Sequence, residues 1–288
     1  MNPDMALIGA ASPEVGERLE HVLHKLYERK DVKFVHTNYI NAELIKLCLS
    51  TFVTTKITYA NMLAAVCDGL PGADSDTVAH ALGLDSRISP KVLKGGMPYG
   101  GPCFPRDNRA LLYVLRQAGV SEQLVAATDR FNEDLLTSFT DTLIHLAGEN
   151  GIIGVLGLSF KPGTHVVEES ASLELANMLA SRGQTVVVYD PKAIEAAKPL
   201  LHPSIQFASS DIECVTKSAV TILATPWSEF DNLPLRLKES GVDNGVIFDP
   251  WRTYEHQDFV SGVKYVPWGR GSMQQVGEIQ VSQGVVYG

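Results

Sequence analysis

The sequence is most informative first for what it lacks. No apolar run reaches membrane-spanning length, and the N-terminus has no basic segment followed by an apolar one, so no membrane span or secretory leader is expected. There are four cysteines in 288 residues, Cys48, Cys67, Cys103 and Cys214, at spacings that suit neither a metal site nor a disulfide framework. That usage suits a reducing cytoplasm, and no metal is expected. The net charge of −9 argues against nonspecific nucleic-acid binding but leaves room for an anionic ligand held by a few local cations. No G-x-G-x-x-G fingerprint precedes Cys103, so no dinucleotide-binding turn is legible in that part of the sequence. No internal repeat is seen.

What is present reads as a globular α/β chain. Hydrophobic residues make up 45% and charged residues 20%, and 288 residues suffice for two domains. Residues 1–38 read as a remnant of a preceding domain: Ser12-Pro13-Glu14 opens a helix with a cap and a proline in its first turn, and a short strand follows over 32–35, with Phe34 packing on that helix. Residues 39–148 read as all-helical. Asn41 is expected to cap a long helix to about Asp68, so apolar around its circumference that it should be buried, partly against a second subunit. Helices over 74–82, 107–118 and 121–146 follow, with a Gly/Pro-rich loop over 86–106. Gly148-Glu149-Asn150-Gly151 marks a linker. Beyond it, over 149–288, strands at 152–156, 185–189, 220–224 and 246–249 around a helix at 170–182 predict a Rossmann-like parallel sheet, with an irregular tail from about Gly269. Gly151, Gly154 and Gly157 do not have the spacing of a dinucleotide loop.

The residue with the clearest chemistry is Cys103, in the string Tyr99-Gly100-Gly101-Pro102-Cys103-Phe104-Pro105-Arg106-Asp107. Paired glycines let backbone approach a ligand, prolines stiffen the loop, and a helix starting nearby turns its positive end toward the sulfur. That setting favours the nucleophilic form of a thiol.

This string resembles the active-cysteine motif of the UDP-glucose/GDP-mannose dehydrogenases, with Phe104-Pro105 closer to the UDP-glucose branch than to the GDP-mannose or N-acetyl-sugar branches. The resemblance continues in NAELIK at 41–46, LDSRI at 84–88 and GVLGLSFKPG at 154–163, in the family's order, over about residues 1–270. It implies a helical central domain that forms a homodimer, a Rossmann-like UDP-sugar domain, and a missing N-terminal NAD domain. It also implies NAD-dependent oxidation of a sugar C6 alcohol to a carboxylate through a cysteine thioester. A chain without its NAD domain is expected to have little activity alone. The alternatives are a non-catalytic UDP-sugar-binding and dimerisation module, or a GDP-mannose dehydrogenase.

By the same resemblance Cys103 is the nucleophile, Lys46 polarises the C6 oxygen, and Asp107 is a proton-handling or water-positioning carboxylate. Lys94, Gly96, Tyr99, Gly100, Lys161, Arg252 and Ser50 fall at substrate positions, Arg87 at one that reaches a neighbouring subunit's substrate, and Arg106 at a cofactor contact. Each has an ordinary structural reading too: Asp107 as a helix cap, Lys46 as a lysine reaching the surface, Arg252 as a solvated charge. The sequence departs from the family pattern at Pro102 and Arg106, at Ser50 in place of an asparagine, at Val92 in place of a phenylalanine, at Asp4 and Ile8 in place of two glutamates, and at Glu168 in place of an NAD-contacting arginine.

Overall fold

The computed structural model describes residues 3–28 and 31–271. The irregular tail expected from Gly269 lies almost wholly outside the described residues. The chain opens with a small parallel unit, β1 (Met5–Gly9), α1 (Pro13–Leu26) and β2 (Lys33–Thr37), in which the two strands pair from Met5↔Lys33 to Gly9↔Thr37. Ser12 caps α1 by accepting from the Val15 amide, and the Phe34 ring lies 4.5 Å from that of His24. β1 went unread in the sequence, with a consequence for Ile8. That residue is 2% exposed and paired in register with His36, so an aliphatic side chain fills a buried strand position there.

Four helices follow: α2 (Tyr39–Asp68), α3 (Ser75–Gly83), α4 (Phe104–Gln117) and α5 (Gln123–Ala147). The cap of α2 is Asn38, whose side chain accepts from the Asn41 amide at 2.8 Å; Asn41 lies inside the helix. The expected burial of α2 is only half met within one chain. Ala60, Asn61 and Ala64 are buried, whereas Ile40, Leu44, Phe52, Tyr59 and Val66 are exposed. Helix α4 begins at Phe104, three residues before the expected start, because Pro105 fits the first turn, where no amide donor is needed. Cys103 is therefore the N-cap residue, and Asp107 sits one turn inside, its amide bonded to the Cys103 carbonyl at 2.9 Å.

The rest of the described chain alternates: β3 (Ile153–Leu156), α6 (Ala171–Ser181), β4 (Val186–Tyr189), α7 (Ile194–Ala197), β5 (Gln206–Phe207), α8 (Asp211–Thr216), β6 (Val220–Leu223), α9 (Leu233–Glu239), β7 (Gly245–Asp249) and β8 (Val263–Pro267). All strands pair in parallel, in the order β5-β4-β3-β6-β7-β8. This is the doubly wound arrangement, and the order reverses between β3 and β6. Both strands β3 and β6 are buried along their whole length, which fits their largely apolar sequences, since both faces are covered. Helix α5 ties the helical region to the sheet. Its Phe139 packs edge-on against Phe248 at 5.5 Å and Trp268 at 4.8 Å. No described helix is long and apolar enough to cross a membrane.

Candidate active site

A cavity of about 610 Å³ opens where the order of the sheet reverses. One wall comes from residues 92–104 of the helical region and the other from the carboxyl ends of β3, β6 and β7: Phe160, Lys161, Thr225, Pro226 and Trp251. Such crevices at the carboxyl ends of strands are where doubly wound folds hold ligands. The loop from the helical region lies so close to the sheet that glycine is required. Gly101 has φ +85°, and a Cβ there would lie 2.3 Å from the Phe160 ring; one on Gly96 would lie 2.3 Å from Trp251.

Cys103, Lys94, Gly96, Tyr99, Gly100 and Lys161 all line this cavity. The Cys103 thiol is exposed. Lys161 rides over the Phe160 ring at 5.3 Å, so a cation stands beside an aromatic face. Tyr99 offers its ring but not its hydroxyl, which donates to Asp129 Oδ1 at 2.5 Å and accepts from Asn108 at 3.2 Å. Burial and the nearby Asp129 carboxylate push that phenol upward from its ordinary value. Asn132 holds the Tyr99 backbone at both its amide and its carbonyl, each at 2.9 Å.

Lys46 and Ser50 on α2 form a second group with Arg106 and Asp107 on α4, outside the lining of this cavity. The Lys46 ammonium pairs with Asp107 Oδ2, and Arg106 Nε stands 3.6 Å from Oδ1. The buried partner is the acid: the Asp107 side chain is 3% exposed and that of Lys46 50%. Lys46 thus reaches the surface, beside the outward-facing Leu44 and Leu49, while its head group pairs with a buried acid. Burial alone would raise the Asp107 carboxyl. Hydrogen bonds from Lys46 and Ser50, with the charges of Lys46 and Arg106, outweigh that and hold it below its ordinary value.

Two expected substrate residues lie elsewhere. Arg87, expected to reach a neighbouring subunit's substrate, is 86% exposed and paired with Asp85, outside this chain's own cavity. Arg252, expected to approach the sugar, is a buried tie instead. Its Nε and Nη2 grip Asp76 at 2.9 and 3.0 Å, Nη1 donates to the Pro250 and Trp268 carbonyls, and Nη2 also donates to the Gly95 carbonyl at 2.8 Å. All five guanidinium donors are used, so none is left for a ligand. Trp251 was missed in the sequence. It lies against Gly96 with its indole donating to the Ala224 carbonyl at 3.1 Å, and the only signal was its place just beyond an apolar strand ending Asp249-Pro250.

The described residues do not fit a dinucleotide. The turn from β1 to α1 is Ala10-Ala11-Ser12-Pro13, with a proline where an amide would face phosphate, and Glu17 and Glu20 line the hollow beside it. After β3, Gly157 has φ +92° and is pressed against Thr225, where an added Cβ would lie 2.4 Å away, and Gly151, Gly154 and Gly157 lack the G-x-G-x-x-G spacing of a dinucleotide turn.

The sheet order, the cavity at its reversal and the thiol on a helix cap together define a doubly wound α/β protein with an exposed thiol at the edge of its ligand crevice. The chain matches the central domain of the UDP-glucose/GDP-mannose dehydrogenase family over residues 40–134 and the family's UDP binding domain over residues 154–256. UDP-glucose 6-dehydrogenase YwqF of Bacillus subtilis (strain 168) is 30% identical across 96% of this chain and 62% of its own length. UDP-glucose 6-dehydrogenase AglM of Haloferax volcanii is 34% identical across 80% of this chain and 54% of its own. A solved UDP-glucose dehydrogenase from Pyrobaculum islandicum superposes with a TM-score of 0.77 at 29% identity, covering 91% of this chain and 59% of that one. The chain belongs to the UDP-glucose/GDP-mannose dehydrogenase family. It spans about 60% of the length of the curated relatives it matches.

Proposed function

We propose that this chain is the sugar-nucleotide-binding, thiol-bearing part of a UDP-glucose 6-dehydrogenase-type enzyme. The observation that carries the reading is Cys103, exposed on the N-cap of α4 at the edge of a cavity that also presents Lys94 and Lys161. Two cations suit a diphosphate, Phe160 and Trp251 offer faces for a base, and the thiol stands where a sugar carbon can reach it. The Cys103 thiolate adds to a C6 aldehyde: a C–S bond forms, the carbonyl pair moves to oxygen, and that oxygen takes a proton. Asp107, one turn along α4, and Lys46, which pairs with it from α2, are the groups proposed to supply and position that proton. In the family reaction NAD accepts hydride. The described residues do not fit it, so the chain alone is expected to bind substrate without turning it over.

The exposed apolar side of α2 supports assembly into a homodimer through the central helices. The rival reading is a binding and dimerisation module without catalysis, favoured by the poor fit for a dinucleotide. Calorimetric titration tests the assignment of the cavity and the cofactor argument, which both readings share. UDP-glucose should bind and NAD should not. Absence of any UDP-glucose heat would overturn the assignment of the cavity, and NADH formation by the chain alone would overturn the cofactor argument.

A further inference from the structure

Lys56 belongs to none of the recognised motifs, yet its ammonium is fully engaged. It projects from α2 and donates to the Ile88 carbonyl at 3.0 Å, the Ser89 carbonyl at 3.0 Å and the Lys91 carbonyl at 2.5 Å. Three donors meet three acceptors of a single turn. That turn is strained. Ser89 has φ +66° and Val92 φ +60°, a left-handed conformation that a β-branched residue adopts only when its surroundings impose it. The backbone closes around the strain through Ile88 and Ser89 amides bonded to the Asp85 carbonyl, at 2.9 and 3.1 Å, and the Leu93 amide bonded to the Pro90 carbonyl at 3.3 Å. Pro90 abuts Gly83, where a Cβ would lie 2.9 Å from the Pro90 ring, and Leu93 is buried with Ala60 and Ala79. The strained residue and its near neighbour Lys94 line the cavity. Farther along, Asn61 holds the Gly96 amide and Arg252 the Gly95 carbonyl, each at 2.8 Å. Those residues fix the far end of the loop, and Lys56 the near end.

We propose that Lys56 is a positioning residue: by gathering the carbonyls of the 88–91 turn it holds Val92 in its left-handed conformation, and so sets the edge of the cavity formed by Val92 and Lys94. The proposal rests on the reading of that cavity as a sugar-nucleotide site. Without the ammonium, three carbonyls lose their common donor and Val92 relaxes to a negative φ, which swings the cavity edge. Glycine at 92 carries no such strain, so the requirement for Lys56 should largely disappear with it.

The test is a double-mutant cycle on the full chain, with UDP-glucose affinity measured by calorimetry in wild type, K56M, V92G and the double variant. K56M should weaken binding roughly tenfold when residue 92 is valine and less than about threefold when it is glycine. If K56M is poorly folded, K56Q takes its place. Equal losses in the two backgrounds, or no loss, would overturn the proposal. Hydrogen exchange at the Ile88, Ser89 and Leu93 amides separates this from the reading of the site. If wild type does not bind UDP-glucose, the site reading fails; faster exchange in K56M than in wild type still supports the positioning role, and unchanged exchange overturns it.

Discussion

Arg252 and Cys103 mark the two limits of inference from single residues. Cys103 was legible because its signal is local: paired glycines, prolines and a helix start surround it within nine residues of sequence, 99–107. Arg252 was legible only as a cation. Its partners Asp76 and Gly95 lie far away in sequence, and nothing in the chain around it announces that all five donors are engaged. Its role is therefore mechanical, tying α3 and the cavity loop to the end of β7. Replacement by glutamine leaves Asp76 with Arg270 alone and strips the Gly95, Pro250 and Trp268 carbonyls of donors. R252Q is expected to destabilise the chain by about 2–4 kcal/mol, visible as a lower midpoint in denaturant. An unchanged midpoint would mean that the tie carries no stability.

The elements were largely readable where periodicity and caps agree, as in α1 with Ser12 and Pro13, or α6 after Ser170. They were not readable where a strand is too short to show a period, as in β5 with two residues, or where it alternates half-buried residues at an edge, as in β1 and β8. Helix α4 shows what a shift of three residues does to function. Moving its start from Asp107 to Phe104 turns the acid from a surface cap into a buried partner of Lys46. Because the folded carboxyl is held below its ordinary 3.8, its contribution to stability is present above that value and is lost as pH falls through the lowered one. Melting curves between about pH 5 and pH 2 should show a steeper loss for wild type than for D107N. Parallel curves would show that the Lys46–Asp107 pair contributes nothing. On α2, Phe52 is 67% exposed amid other outward apolar residues. If that side joins two copies, F52E should convert a dimer to a monomer in light scattering, while a mass unchanged by the substitution would exclude Phe52 from the contact.

At the scale of the molecule, a parallel sheet and a helical region were readable because strands alternate with helices beyond residue 150, whereas the strand order was not read. The cavity between them was not. Its walls come from loops that meet only after the two regions pack through Phe139, Phe248 and Trp268. The net charge of −9 makes the local pair Lys94 and Lys161 more telling, since an anionic ligand must find those cations in a negative field. The account rests on a sugar nucleotide lying across this cavity with its hexose against the thiol. The direct measurement is the rate of iodoacetamide alkylation at each cysteine, read by peptide mass mapping with and without saturating UDP-glucose. Cys48 and Cys103 are both exposed, so each serves as the other's control. Ligand should slow alkylation at Cys103 and leave Cys48 unaffected; an equal rate at Cys103 in both conditions would contradict the account.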